Sequence, residues 1–182
     1  EMNFKPGGAA TVIGSFPHAE AADACRLVLN ATKLIPAWPQ LPRRGFFEDM
    51  NAQFSRSLPC LHLDEENRKL GFDTSRDIAG ELERFYTKVI EDDVEYFGLD
   101  EKHSAGFGCF IEALKKGSAP EAIALKGETT GPLTLGLMTD ITDGKYALYK
   151  PDLFDAIVKS CAMNARWQVR KLKEHLDTVI VS

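Results

Sequence analysis

The stretch that most constrains this chain is residues 11–18, Thr-Val-Ile-Gly-Ser-Phe-Pro-His. It reads as a short apolar strand over 10–14 that ends in Gly14 and Ser15 and breaks at Pro17 before a helical pattern. Small residues at a strand end expose backbone, and that is where parallel α/β folds place substrate groups. A second apolar run, 122–126, leads into Gly127-Glu128-Thr129-Thr130-Gly131-Pro132, and a third closes the chain at 178–182.

Helical spacing of apolar residues fills the intervals. One helix is expected over 19–31. Another carries Ile78, Leu82, Phe85 and Val89 on one face, capped by Thr74 or Ser75 and extending toward Phe97. A third is expected over 104–116 and stops at Gly117, and a short one over 133–142. A long helix opens at Pro151 and ends near Leu176, with Val158, Cys161, Ala165, Val169 and Leu172 as its buried stripe. Residues 60–64 and 69–73 alternate around Glu65-Glu66-Asn67 and predict a β-hairpin. Between helix and hairpin, 35–59 holds Pro36, Pro39, Pro42 and Pro59, which exclude one regular helix. Its Trp38, Phe46, Phe47 and Phe54 exclude a disordered linker, so ordered irregular structure is expected.

Strand, helices, strand, helices, strand is the order of an α/β fold with parallel core strands. A complete (β/α)8 barrel needs about 250 residues, and this chain has 182. The reading is the N-terminal portion of a TIM (β/α)8-type barrel: about three parallel core strands in a single domain over 1–182, with the hairpin at 60–73 as an excursion.

Composition narrows the function classes. A net charge of −5 argues against a general nucleic-acid partner, which needs a basic face. No apolar run reaches the roughly 18 residues a membrane span requires, and with no export signal a cytoplasmic location is expected. Cys25, Cys60, Cys109 and Cys161 are too scattered for a disulfide framework or a zinc knuckle, and His18, His62, His103 and His175 form no metal-ligand spacing. Gly127–Pro132 lacks the Lys-Ser/Thr ending of a phosphate loop, and a strand-to-helix turn explains it without chemistry. Glu128 nevertheless stands at a strand's C-terminal end, where barrel sites form. His18 lies just past another such end, Trp38 and Gln40 sit on a proline-stiffened ledge, and His103 reads as solvent-facing.

These motifs carry a resemblance. Residues 11–18 resemble the Thr-Ile-Gly-Ser-Phe-Pro segment that opens the catalytic barrel of cobalamin-independent methionine synthase. Trp38-Pro39-Gln40-Leu41-Pro42-Arg43-Arg44, with Glu48, Met50, Gln53 and Phe54, is similar to shorter members of that family. Gly131-Pro132-Leu133-Thr134 is similar to a strand end of the wider uroporphyrinogen decarboxylase-like superfamily. The resemblance implies methyl transfer to a thiol such as homocysteine, with zinc lowering the thiol's pKa in the complete barrel. It assigns Ile13, Gly14 and Ser15 to the amino-acid substrate; with His18, Trp38, Gln40, Glu48 and Glu128 they form the candidate substrate-binding set. The family's zinc ligands include a His-x-Cys pair from the barrel's second half. This sequence contains no such pair, so no metal ligand is assigned here and the chain by itself is expected to be inactive. Two alternatives stay open: a non-catalytic ligand-binding or interaction module of the same fold, and a uroporphyrinogen decarboxylase-like enzyme, whose Arg-rich porphyrin signature is not apparent here.

Three parallel strands cannot close a barrel, and an open sheet edge leaves backbone donors and acceptors to pair elsewhere. Light scattering at micromolar concentration is therefore expected to report self-association, or capture of a partner chain that supplies strands. A monomer with a cooperative melt would overturn that expectation.

Overall fold

A computed structural model describes residues 4–142 and 144–182 and arranges them as a mixed α/β fold. In chain order the helices are α1 (Ala21–Ala31), α2 (Met50–Ser55), α3 (Ile78–Ile90), α4 (Ala105–Lys115), α5 (Pro132–Met138) and α6 (Pro151–Lys173). The strands are β1 (Leu61–Asp64), β2 (Lys69–Phe72), β3 (Leu125–Gly127), β4 (Thr139–Ile141) and β5 (Val179–Val181).

β3 and β5 run parallel, with Lys126 opposite Ile180. Two further stretches extend this parallel set without forming continuous ladders. Ala37 bridges Lys126, and Ser15 bridges Gln40, both in parallel. The order across the set is thus 10–16, 35–40, β3, β5, which is also the order along the chain.

This corrects the expectation of three regular core strands. The expected first strand, 10–14, forms no ladder, and Ile13 is 80% exposed. Its neighbour holds prolines at 36 and 39, which have no N–H to donate. The two stretches are joined instead by Thr11 Oγ1 donating to the Ile35 carbonyl at 2.8 Å and Phe16 N donating to the Gln40 carbonyl at 2.9 Å. Residues 35–40, expected to be irregular, supply the stretch between 10–16 and β3.

The hairpin forms as expected, with His62 opposite Gly71. It does not stand apart, because β4 pairs in parallel with β2 and makes a three-stranded sheet. The helix expected over 133–142 stops at Met138. Thr139 Oγ1 turns back to the Leu135 carbonyl at 2.6 Å, and the next residues join the sheet.

Helix ends follow their capping residues. The N-cap of α3 is Asp77, not Thr74 or Ser75: its carboxylate accepts from Gly80 N at 3.0 Å. α3 ends before Phe97, and Asp92 takes a left-handed φ of +56°, which Asp tolerates better than most residues. α6 opens with Pro151, carries Asp152 in its first turn and Arg170, Lys171 and Lys173 in its last, in accord with the helix dipole. Its buried face is broader than an apolar stripe. It includes Ser160, Asn164, Trp167 and Gln168, while Val158 is exposed.

Two apolar cores result. The larger gathers Trp38, Phe54, Phe85, Phe97, Phe107 and Trp167. Trp38 meets Phe107 edge-on at 5.7 Å between ring centroids, an arrangement the ring quadrupoles favour. The second, containing Leu70, Phe72, Leu135, Ile141 and Ile157, fills the space between the three-stranded sheet, α5 and α6. Among the described residues no helix is long and apolar enough to cross a membrane.

Gln168, fully buried, ties these parts together. Its Oε1 accepts from Trp38 Nε1 at 2.9 Å and from Glu128 N at 3.1 Å. Its Nε2 donates to the Glu128 carbonyl at 2.7 Å and to Asn164 Oδ1 at 2.8 Å. Gln168→Leu keeps the volume but orphans several buried groups, each worth about 1–3 kcal/mol. A loss of about 4 kcal/mol or more is expected in urea denaturation, and a loss below about 1 kcal/mol would contradict the assigned role.

Candidate functional site

Parallel alignment gathers the C-terminal ends of the extended stretches at one end of the set. Gly14 and Ser15, Gln40, Glu128 and Ser182 all follow these stretches on that side. Lys126 and Glu128 are two residues apart, so strand alternation turns both to one face. They are 3% and 5% exposed. Lys126 Nζ lies 3.1 Å from Glu128 Oε1 and donates to the Val12 carbonyl at 3.0 Å, so one ammonium holds both the carboxylate and the first extended stretch.

Burial raises the Glu128 carboxyl above its ordinary value, while Lys126 and the backbone of Gly14 act in the opposite sense. A carboxyl with a raised folded pKa takes up a proton more readily in the folded state. The stability it contributes is complete below the ordinary carboxylate value and is lost as pH rises through the raised one. The loop beyond is tied to the chain's last strand: Thr129 N donates to the Ser182 carbonyl at 3.0 Å. The Thr130 hydroxyl is buried close by in sequence with no hydrogen-bond partner.

Gln40 is buried, and its Nε2 donates to Gln53 Oε1 at 2.8 Å; Gln53 in turn donates to the His103 carbonyl at 2.5 Å. His103 is itself buried, which corrects the solvent-facing expectation. Its Nδ1 pairs with Asp100 Oδ1 at 2.6 Å, and its ring meets Phe47 edge-on at 5.5 Å. Glu48 is buried against Arg44, with Nε 2.6 Å from Oε1; burial raises this carboxyl and Arg44 opposes the rise.

Gly14, Ser15, Gln40 and Glu128 thus lie at one end of the parallel set. Ile13 points to solvent. Trp38 belongs to the core rather than to an open ledge, because its indole N–H is satisfied by Gln168. His18 packs against Phe16 and lines a cavity of about 390 Å³ with Asp23, Arg26 and Asn30 along α1. Glu48 belongs to the Arg44 and His103 neighbourhood. Cys60 and His62 do not pair, since Cys60 is buried with its amide bonded to Glu81 while His62 is exposed.

Sequence reading passed over Lys126 and Gln168. Both had a signal: a lysine two residues before Glu128 in an apolar run, and a glutamine at the helical spacing of Cys161 and Leu172. Among the described residues, no three His, Cys, Asp or Glu side chains gather as a metal ion requires. No family model, curated protein or solved structure matches the chain.

Removing one member of a buried ion pair costs about 3–5 kcal/mol, whereas replacing both with apolar or neutral isosteres is close to neutral. Lys126→Met is therefore expected to cost about 3 kcal/mol, and the double variant Lys126→Met/Glu128→Gln to recover most of it. Additive losses in denaturant titrations would show that the two groups do not act as a pair.

Proposed function

We propose that this chain supplies the amino-acid-binding strand ends of a methyltransferase barrel of the cobalamin-independent methionine synthase type. The observation that carries the reading is the meeting of the Gly14–Ser15 strand end with the buried Glu128 carboxylate at one end of the parallel set. Two independent features support it. The Thr-Val-Ile-Gly-Ser-Phe-Pro motif resembles that family's opening segment, and the extended stretches follow one another in parallel in chain order, as in the first part of a (β/α) barrel.

The chemistry suits a zwitterion such as homocysteine. A desolvated carboxylate binds an ammonium group more strongly than one in water, and Glu128 is held rigidly by Gln168 through its own N–H and C=O. Ser15, exposed at the strand end, offers a hydroxyl and an N–H to a substrate carboxylate. Burial raises the Glu128 carboxyl and Lys126 counters the rise in part, so the group retains anionic character toward a substrate ammonium. Gln40 and Gln53 hold the neighbouring stretch in place. Zinc in such an enzyme supplies thiolate activation. The described residues here offer no converging donor set for it, so the role derived for this chain is binding and orientation of the amino acid.

Calorimetric titration with L-homocysteine and L-methionine tests the reading. Saturable binding is expected, weakened about tenfold by Ser15→Ala, equivalent to one lost hydrogen bond of about 1.4 kcal/mol. Glu128→Gln is expected to weaken it further. Binding without methyl transfer in a coupled assay would identify a ligand-binding module of the same fold. Absence of binding to either amino acid in a folded sample would remove the proposal.

A further inference from the structure

α1 and α4 pack side by side, and one glycine sets how close α4 comes to the parallel stretches. Gly106, in the first turn of α4, sits against the Pro39 carbonyl, where any side chain would collide with that oxygen. The Gly106 carbonyl in turn accepts from the Cys25 thiol of α1 at 3.6 Å. One turn further along α4 stands Cys109, packed against the same core cluster that holds Cys25. The pair thus joins two different helices at their contact.

The two sulfurs differ in access. Cys25 is 2% exposed, and burial, with Cys109 beside it, pushes its thiol above the ordinary range. Cys109 is partly exposed and lines an open groove of about 730 Å³ with Ser104, Trp167 and Lys171. The other two cysteines lie in the second core, where burial pushes each thiol up to about 11. Neither is offered to a reagent from solvent.

We propose that Cys109 and Cys25 are a peroxide-sensitive dithiol, with Cys109 as the attacking and Cys25 as the resolving thiol, which closes a disulfide between α1 and α4. The Cys109 thiolate attacks hydrogen peroxide, the O–O bond breaks, hydroxide leaves, and the sulfur becomes a sulfenic acid. The Cys25 sulfur then attacks the Cys109 sulfur. The sulfenic oxygen departs with the Cys25 proton as water, and two thiols have been oxidised as one peroxide is reduced. Burial shields Cys25 from oxidant in solvent, so the exposed Cys109 is the sulfur that meets peroxide first. An S–S bond of about 2.05 Å would form where α1 and α4 are already packed together, with Cys25 Sγ 3.6 Å from the Gly106 carbonyl one turn before Cys109. The bridge spans a loop on the order of 80 residues and constrains the unfolded chain accordingly. The inference stands apart from the substrate reading, since it uses neither the strand ends nor an amino acid.

The test treats the folded chain with a small excess of hydrogen peroxide, alkylates remaining thiols in denaturant, and maps peptides by mass. A Cys25–Cys109 linked peptide is expected, with Cys60 and Cys161 alkylated, reversal by dithiothreitol, and a thermal midpoint raised by several degrees. Cys25→Ser should leave Cys109 as a sulfenic acid trapped by dimedone, and Cys109→Ser should leave Cys25 alkylatable. The proposal fails if wild-type Cys109 advances to sulfinic acid without cross-linking, if it pairs with another cysteine, or if both thiols remain alkylatable after treatment. The wild-type peptide map decides this even if a variant does not fold.

Discussion

A single buried amide, that of Gln168, holds the parts of this fold in register. It joins the indole of Trp38, the backbone of Glu128 on both sides, and Asn164 one helical turn earlier. The stretch 35–40, the end of β3 and the inner face of α6 therefore have one relative placement that satisfies every partner. A hydrogen bond exchanged for water contributes only about 1 kcal/mol net, but a buried partner left unpaired costs more. The network's main effect is to penalise alternatives. Apolar packing around Trp38, Phe107 and Trp167 supplies attraction without direction, and the amide supplies direction.

The same arrangement prepares an electrostatic site. A buried ion pair adds little net stability, since desolvation offsets most of its attraction. Lys126 and Glu128 are thus poorly explained as a stability device. They make better sense as a charged group maintained at the end of a parallel set, with the stretch 10–16 leashed to the same ammonium through the Val12 carbonyl. That stretch has almost no ladder of its own, because its neighbour is rich in proline. Its end is held by one backbone bridge to Gln40 and by the side chains of Thr11 and Lys126. The second sheet and α5 pack on α6 through Leu153, Ile157 and Cys161 and form a separate core.

Helices were readable because their signals are local. Apolar spacing, Pro151 at a first turn and Gly117 after a last turn all act within a few residues, and α1, α4 and α6 form close to where those signals place them. The hairpin at 60–73 was readable for the same reason. The cap of α3 was misplaced because three candidate capping residues lie within four positions, and only the backbone path selects Asp77. The stretch 35–40 was read as irregular because proline density is a signal against regular structure. It gave no hint that an extended segment could share a sheet through side-chain and single backbone hydrogen bonds.

By itself, then, the amino-acid sequence determined a mixed α/β chain, the positions of its main helices and its hairpin, and a carboxylate at the end of a strand that runs parallel to the last one. Tertiary structure decided which polar residues are inside. Lys126, Gln168 and His103 look on paper like surface residues, and Trp38 like a ledge. Their burial depends on partners 2, 40 or 130 residues away, or on a ring such as Phe47 that folding brings alongside. Cys25 and Cys109 are likewise unremarkable until α1 and α4 meet. Local propensity is a property of neighbours along the chain, whereas satisfaction of a buried polar group is a property of neighbours in space, and only the folded chain brings those together.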